Sequence, residues 1–231
     1  MRPSPTARAG ILARDKVYDG TTNATLILTQ AELAGNLDGT NVVLSTTNAT
    51  GAFADPHVGT NKTVWVSGLT LSGSATNNYA FSQPTTNATI TGKPLTITAN
   101  ADAKTYGAVK LYGPNRMEFG TDAGDLVSGD DVTSVTLACA DGGPATAVVG
   151  SYAIIPSAAV GIGLENYIIR YHAGALTVGV RGLNVTANAD AKTYGTAKPY
   201  GTGQTTFSTG AGELVNGDRV CLLYTSPSPR D

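Results

Sequence analysis

The chain repeats itself. "LTITANADAKTYGAVKLYG" at 95–113 returns as "LNVTANADAKTYGTAKPYG" at 183–201, a shift of 88 positions. From Leu95–Val132 to Leu183–Val220 the register holds without a gap, and 23 of 38 positions are identical. Self-similarity at a fixed period implies a row of like units, each with its own core. The spacing also reaches backwards. Lys16 and Tyr18 of "KVYDG" lie 88 before Lys104 and Tyr106 of "KTYG", and Asn78-Tyr79 lie 88 before Asn166-Tyr167. The pattern is two related modules and the first part of a third copy.

After Val220 the repetition stops. Where the second module reads "TSVTLACADGG", the third copy reads "CLLYTSPSPRD" at 221–231. That ending resembles the translated adapter of a transposon-based sequencing library, so residues 221–231 are set aside as evidence. Of the two cysteines, Cys139 then remains. A single thiol supports no disulfide framework, and in "VTLACA" Cys139 reads as a small buried hydrophobe.

Within each module, short apolar runs alternate with Gly, Asn and Asp clusters every 8–12 residues or so, the spacing of an all-β sandwich or barrel. Thr, Val, Ile and Tyr fill the runs, as a half-buried pleated surface prefers. Only "TQAELAG" (29–35) suggests a helical turn. A module of this size buries about 60–65% of its unfolded surface. The third copy, at 182–220, is close to the lower limit of about 40 residues for folding without staples. It is expected to form no complete sandwich and to leave strand edges unpaired.

"KVYDGTTNATL", "VGTNKTVWVSGLTLSG" and "NNYAF" resemble the bacterial YDG repeat domain. "TITANADAKTYG", "VSGDDV", "VGSYAI" and "GLENYIIRYHAGALTV" resemble the MBG domain of the YGX type, a bacterial immunoglobulin-like module. The resemblance divides the chain into an unassigned 1–10, a YDG-type module at 11–93, an MBG-type module at 94–181 and a truncated second one at 182–220. It implies tandem Ig-like β-sandwiches of the kind found in large exported proteins such as filamentous-haemagglutinin-like adhesins. It therefore implies an extracellular or cell-surface setting, although "MRPSPTARAG" is no secretory signal. It brings no catalytic residues.

The composition narrows the partners. Charged residues are 14% and the net charge is -2, which gives no electrostatic reason to expect nucleic acid. No apolar run approaches the ~20 residues of a membrane span. The expected partners are neighbouring modules of the same chain, with a surface glycan or host protein as the alternative.

The candidate residues are few. His57 and His172 fall in different modules, outside any catalytic or metal-ligand spacing. Asp102 with Lys104, and Asp190 with Lys192, read as solvated ion pairs copied by duplication. "GDLVSGDD" gathers Asp125, Asp130 and Asp131, oxygen ligands that calcium favours, although Asp also favours turns. No other cofactor is indicated. Alternation in "KTVWVSGL" puts Val64 and Val66 on one face and Trp65 with Thr63 and Ser67 on the other. Trp65 then either stacks on a sugar or a partner protein, or packs beneath a loop or a neighbouring module. Tyr18-Asp19-Gly20, Tyr106-Gly107 and Tyr194-Gly195 read as turns in which glycine supplies a positive φ. The tyrosines, with Tyr79 and Tyr167, are expected to place the ring in the core and bond the hydroxyl to backbone, as in a tyrosine corner. Asn78 and Asn166 would supply the turn before them.

The leading expectation is a non-enzymatic stalk or spacer of a large bacterial adhesin-like protein. The alternatives are a binding module centred on Trp65, or an accessory domain of a secreted hydrolase.

Overall fold

The computed structural model describes residues 6–8, 10–199 and 206–220, so the 221–231 ending and most of 1–9 lie outside the described residues. The fold is all-β and of the sandwich type. Its helical pieces, among the described residues, are three 3-10 turns at Gly39–Asn41, Thr76–Asn78 and Leu164–Asn166. The helical turn expected at 29–35 is instead a strand, Glu32–Ala34. It pairs antiparallel with Thr6–Arg8, and that partner overrides the local preference of a segment too short to nucleate a helix.

The chain forms two compact units that cut across the sequence modules. One comprises Met1–Ile97, Gly120–Ser134 and Ala158–Tyr171, and the other Thr98–Phe119, Val135–Ser157 and His172–Asp231.

The first unit holds a five-stranded sheet in the order Lys16–Val17, Thr85–Thr91, Gly59–Ser67, Thr50–Phe53, Asn23–Ala24. Gly59–Ser67 alternates as its sequence requires. Val64 and Val66 are buried, and the residues between and beyond them are exposed. Val66 and Leu69 pack with Ile11, Leu26, Leu44 and Phe81. Each such fully buried aliphatic side chain contributes about 1.5–3 kcal/mol relative to exposure. A three-stranded sheet of Phe119–Thr121, Lys93–Ala99 and Tyr167–His172 gives all but its end residues to this unit.

The second unit is built on a four-stranded sheet in the order Asp102–Thr105, Gly174–Gly179, Gly150–Ile162, Asp131–Ala138. Residues 158–162 and 131–134 of the two long strands belong to the first unit. Leu137, Ile154, Leu176 and Val178 form its buried face, together with Cys139, which is buried as a free thiol. In the third copy, Val185–Ala187 pairs with Phe207–Thr209, and no described residue of 182–220 is buried.

One pairing places the Tyr-Gly turns. In the first module Lys16–Val17 runs parallel to the final strand, with Ile90 opposite Lys16 and Thr91 opposite Val17. In the second, Asp102–Thr105 runs parallel to the final strand, with Val178 opposite Lys104 and Gly179 opposite Thr105. A strand parallel to the last strand points toward the end from which the chain leaves the module. The Tyr-Gly turn that follows is thereby set at the exit: Tyr18 N–H donates to Thr91 O, and Tyr106 N–H to Gly179 O, both at 2.9 Å.

Candidate functional site

The first turn is built by its own residues. Asp19 Oδ1 accepts from Thr21 N–H at 2.9 Å, as in an Asx turn, and from the Lys16 ammonium at 2.7 Å. Burial acts to raise the Asp19 pKa, but the bonds from Lys16 and Thr21 outweigh it and hold the carboxyl below its ordinary value. Lys16 also donates to Thr21 O at 2.7 Å. Gly20 takes φ +76°, a region where a side chain is strained.

The loop Asp122–Asp131 of the second module meets this turn. A Cβ on Gly20 would lie 2.6 Å from Cγ1 of Val127, closer than real Cβ atoms approach, so a side chain there would force Val127 to shift, in addition to the strain of the positive φ. Beside it Tyr18, 6% exposed, donates its hydroxyl to Asp130 Oδ2 at 3.0 Å. Tyr167 donates to the same oxygen at 2.6 Å, and the two rings meet edge to face with centroids 5.6 Å apart. Burial, and then the Asp130 carboxylate, raise both phenols, Tyr167 to about 12. The Tyr18 hydroxyl therefore bonds a carboxylate of the following module, not backbone as expected. Nearby, Asn166 Oδ1 accepts from Val58 N–H at 3.0 Å, and its amide nitrogen lies 3.3 Å from His57 Nδ1.

The docking loop is clamped to the strand that links the modules. Lys93 donates to Gly124 O at 2.5 Å, and Thr96 N–H donates to Asp125 Oδ2 at 3.1 Å.

The second turn repeats the arrangement 88 residues on. Gly107 takes φ +87°, and a Cβ there would lie 2.6 Å from Cγ2 of Val215, the counterpart of Val127. Arg181, the counterpart of Lys93, donates to Gly212 O at 2.7 Å and Glu213 O at 3.0 Å. Asn184 N–H donates to Glu213 Oε2 at 2.8 Å, matching Thr96 and Asp125. The Asn184 bonds hold Glu213 below its ordinary pKa, with Gly210 N–H and Arg181 assisting. Asn216 adds a bond to Ala145 O at 2.9 Å.

The third turn repeats the backbone: Gly195 takes φ +84°. Among the described residues no atom lies within 4 Å of the position its Cβ would take, and Tyr194 is exposed.

Family models match these segments. A YDG domain covers residues 2–88, and an MBG domain of the YGX type covers residues 95–177. Residues 2–88 are thus a YDG domain, and residues 95–177 after it are an MBG domain. The YDG match takes in nearly all of the first ten residues, which the sequence reading left unassigned. No curated protein and no solved structure matches the chain. In both domains the glycine of this turn is thus a residue on which a following loop rests, and in the YDG domain Tyr18 is too.

Tyr79 of the YDG domain and Tyr167 of the MBG domain share one geometry. Tyr79 OH accepts from Leu37 N–H at 3.2 Å and donates to Asp38 at 2.5 Å. Tyr167 OH accepts from Val127 N–H at 2.8 Å and donates to Asp130. Each follows a 3-10 turn ending in Asn78 or Asn166. Asn78 is exposed, whereas Asn166 is 1% exposed and bonded to Val58 of the YDG domain.

The remaining candidates are not drawn into one site. Asp125 and Asp130 are engaged separately, by Thr96 N–H and by the two tyrosines, and Asp131 is exposed. Among the described residues no group of three or more His, Cys, Asp or Glu could hold a metal ion. Trp65 is 55% exposed, so the described residues leave more than half of it uncovered. It stands between Ala52 and Thr85 on the neighbouring strands. His172 is exposed at the end of its strand.

The expected Asp102–Lys104 pair is not formed. Asp102 pairs with Lys110 at 2.7 Å, which holds its carboxyl below the usual value against the opposing effect of burial. Lys104 is buried, and its ammonium donates to the carbonyls of Ala108, Gly143 and Pro144, as a buried charge requires. In the third copy Asp190 likewise pairs with Lys198, not Lys192.

Sequence reasoning missed Val127, Val215, Lys93, Arg181 and Glu213. Their signal was present: Lys93/Arg181, Gly124/Gly212, Asp125/Glu213 and Val127/Val215 recur at the same shift of 88.

Proposed function

We propose that this segment is a non-enzymatic stalk or spacer within a large bacterial surface or secreted adhesin-like protein. The observation that carries the reading is the parallel pairing of an early strand with the last strand in both domains, Lys16–Val17 with Ile90–Thr91 and Asp102–Thr105 with Leu176–Gly179. Tension along the chain pulls such strands past one another. Their hydrogen bonds are then loaded together in shear instead of being opened one at a time. The clamps from Lys93 and Asp125, and from Arg181 and Glu213, support the same role, because they leave little free linker between modules.

Single-molecule stretching of the full chain tests this. Two discrete unfolding events are expected, each releasing about 3.3–3.6 Å per residue unfolded. Smooth extension without force peaks would exclude a mechanical role. Protease shaving of intact cells that express the parent protein tests the surface setting: release of this segment is expected, and full protection would contradict it.

A second reading rests on Trp65. An exposed indole flanked by Thr63 and Ser67 on a polar sheet face is suited to stacking on a sugar ring. Binding on a glycan array that disappears in Trp65→Ala would favour it, and an unchanged pattern would remove it.

A further inference from the structure

We infer that the Trp65 face of the YDG domain is a modification face, carrying N-linked pyranose sugars on the asparagines of its Thr-Asn-X-Thr segments. The pentapeptide Thr-Thr-Asn-Ala-Thr occurs three times in this domain, at 21–25, 46–50 and 85–89, and Thr60-Asn61-Lys62-Thr63 adds a fourth Thr-Asn-X-Thr. Each is an acceptor sequence for N-linked sugar, an asparagine with threonine two residues on and no proline between. The one further Asn-X-Thr of the chain, at Asn184, lacks the leading threonine.

The fold collects the four on neighbouring strands of one sheet. Asn87 lies in Thr85–Thr91, Asn61 in Gly59–Ser67, Asn48 two residues before Thr50–Phe53, and Asn23 in Asn23–Ala24. All four asparagines are exposed, whereas Ala88, between Asn87 and Thr89, is buried. Asparagine is depleted in strands. At Asn61 a φ of +52° accounts for the choice, because asparagine tolerates that region. Asn23 and Asn87 have no positive φ, so the backbone does not ask for asparagine there.

The register sets these amides around Trp65. Asn23 stands opposite Ala52, and Ala52 opposite Trp65. Asn87 stands opposite Thr63, two residues from Trp65 on the same face, and such diagonal neighbours are about 7–8 Å apart. Asn87 Nδ2 donates to Asn61 Oδ1 at 2.9 Å, so those two amides lie side by side. A pyranose on either one reaches the indole and stacks on its exposed ring. The sugar is bulky and water-loving, and a surface strand face accommodates it.

In the transfer, Nδ2 bonds to C1 of a sugar pyrophosphate, nucleotide- or lipid-linked. The C1–O bond breaks, the pyrophosphate leaves with the electron pair, and an amide proton passes to a base of the transferase. The inference rests on neither the spacer role nor the binding of a foreign glycan.

The test is peptide mass mapping of the parent protein purified from the cells that express it. Sugar is expected on Asn23, Asn48, Asn61 and Asn87, as single hexoses from a nucleotide-linked donor or as one oligosaccharide from a lipid-linked donor. Thr63→Ala with Thr89→Ala should remove it from Asn61 and Asn87, and Thr63→Ser with Thr89→Ser should keep it. Trp65 is the single tryptophan, so fluorescence reports on it alone. Its emission should shift to the red, and iodide should quench it more strongly, in the Ala pair than in the Ser pair. Four bare asparagines, or sugar that persists in the Ala pair, would overturn the assignment. Identical fluorescence of the two pairs would overturn the contact with Trp65.

Discussion

The two occupied turns share a steric centre and a clamp, and differ in the side-chain contacts around them. At Gly20 the neighbouring contacts are aromatic and anionic: Tyr18, Tyr167 and Asp130 form one hydrogen-bonded cluster. At Gly107 they come from a guanidinium and an amide, Arg181 on Gly212 and Glu213 carbonyls and Asn216 on Ala145. Both joints nevertheless place a valine within 2.6 Å of where a glycine Cβ would stand. Close packing of one side chain against bare backbone is the shared requirement, and the polar contacts vary around it. Arg181 in place of Lys93 also exchanges a point charge for a fork that reaches two carbonyls.

The comparison breaks most visibly at the glycines. Gly20→Val should cost about 2–4 kcal/mol, combining positive-φ strain with overpacking against Val127. Gly195→Val, with no described atom beside it, should leave the main unfolding transition within about 0.5 kcal/mol. Urea denaturation of the two variants side by side checks this.

Asp130→Ala should cost about 1–3 kcal/mol, because two buried hydroxyls lose their acceptor. Asp218→Ala, its exposed counterpart, should stay within about 0.5 kcal/mol. The same denaturation curves distinguish the outcomes.

The first joint should also respond to alkali. Tyr167 is raised from 10.0 to about 12 by burial and Asp130, and Tyr18 is raised as well. The unfolded chain therefore loses its phenolic protons first. The stabilisation is complete below pH 10 and is lost as pH rises through about 12,. Phenolate absorbance should show three late-titrating tyrosines in the parent, Tyr18, Tyr112 and Tyr167. In Asp130→Asn, Tyr18 and Tyr167 should titrate earlier, and Tyr112, which is held up by burial and Asp102, should not move.

The smallest effect belongs to the clamp. Arg181→Ala should release the 182–220 hairpin by about 0.5–1.5 kcal/mol. Faster amide exchange at Val185–Ala187 would report it, with the rest of the chain unchanged.

Much of this was legible in the sequence. Period-2 alternation in "KTVWVSGL" identified Val64 and Val66 as core and put Trp65 on the opposite face. The recurrence of Tyr-Gly after a lysine located the turns. What rests on those turns was not legible, because Val127 and Val215 sit in loops with no periodicity to mark them as contacts. Lys104 escaped for a similar reason. Nothing local says that a lysine will turn inward until the carbonyls of Ala108, Gly143 and Pro144 converge on it. Asp125 read as a calcium ligand because its backbone partner, Thr96, is far away in sequence.

The most direct measurement is a double-mutant cycle between Gly20→Ala and Val127→Ala. If the glycine exists to admit the valine, shortening Val127 relieves the clash that Gly20→Ala creates. The two changes together should then cost less than their sum, by about 0.5–3 kcal/mol, the range for residues in contact. Additive costs would mean that the turn and the loop do not meet, and that the family glycine serves only its own turn.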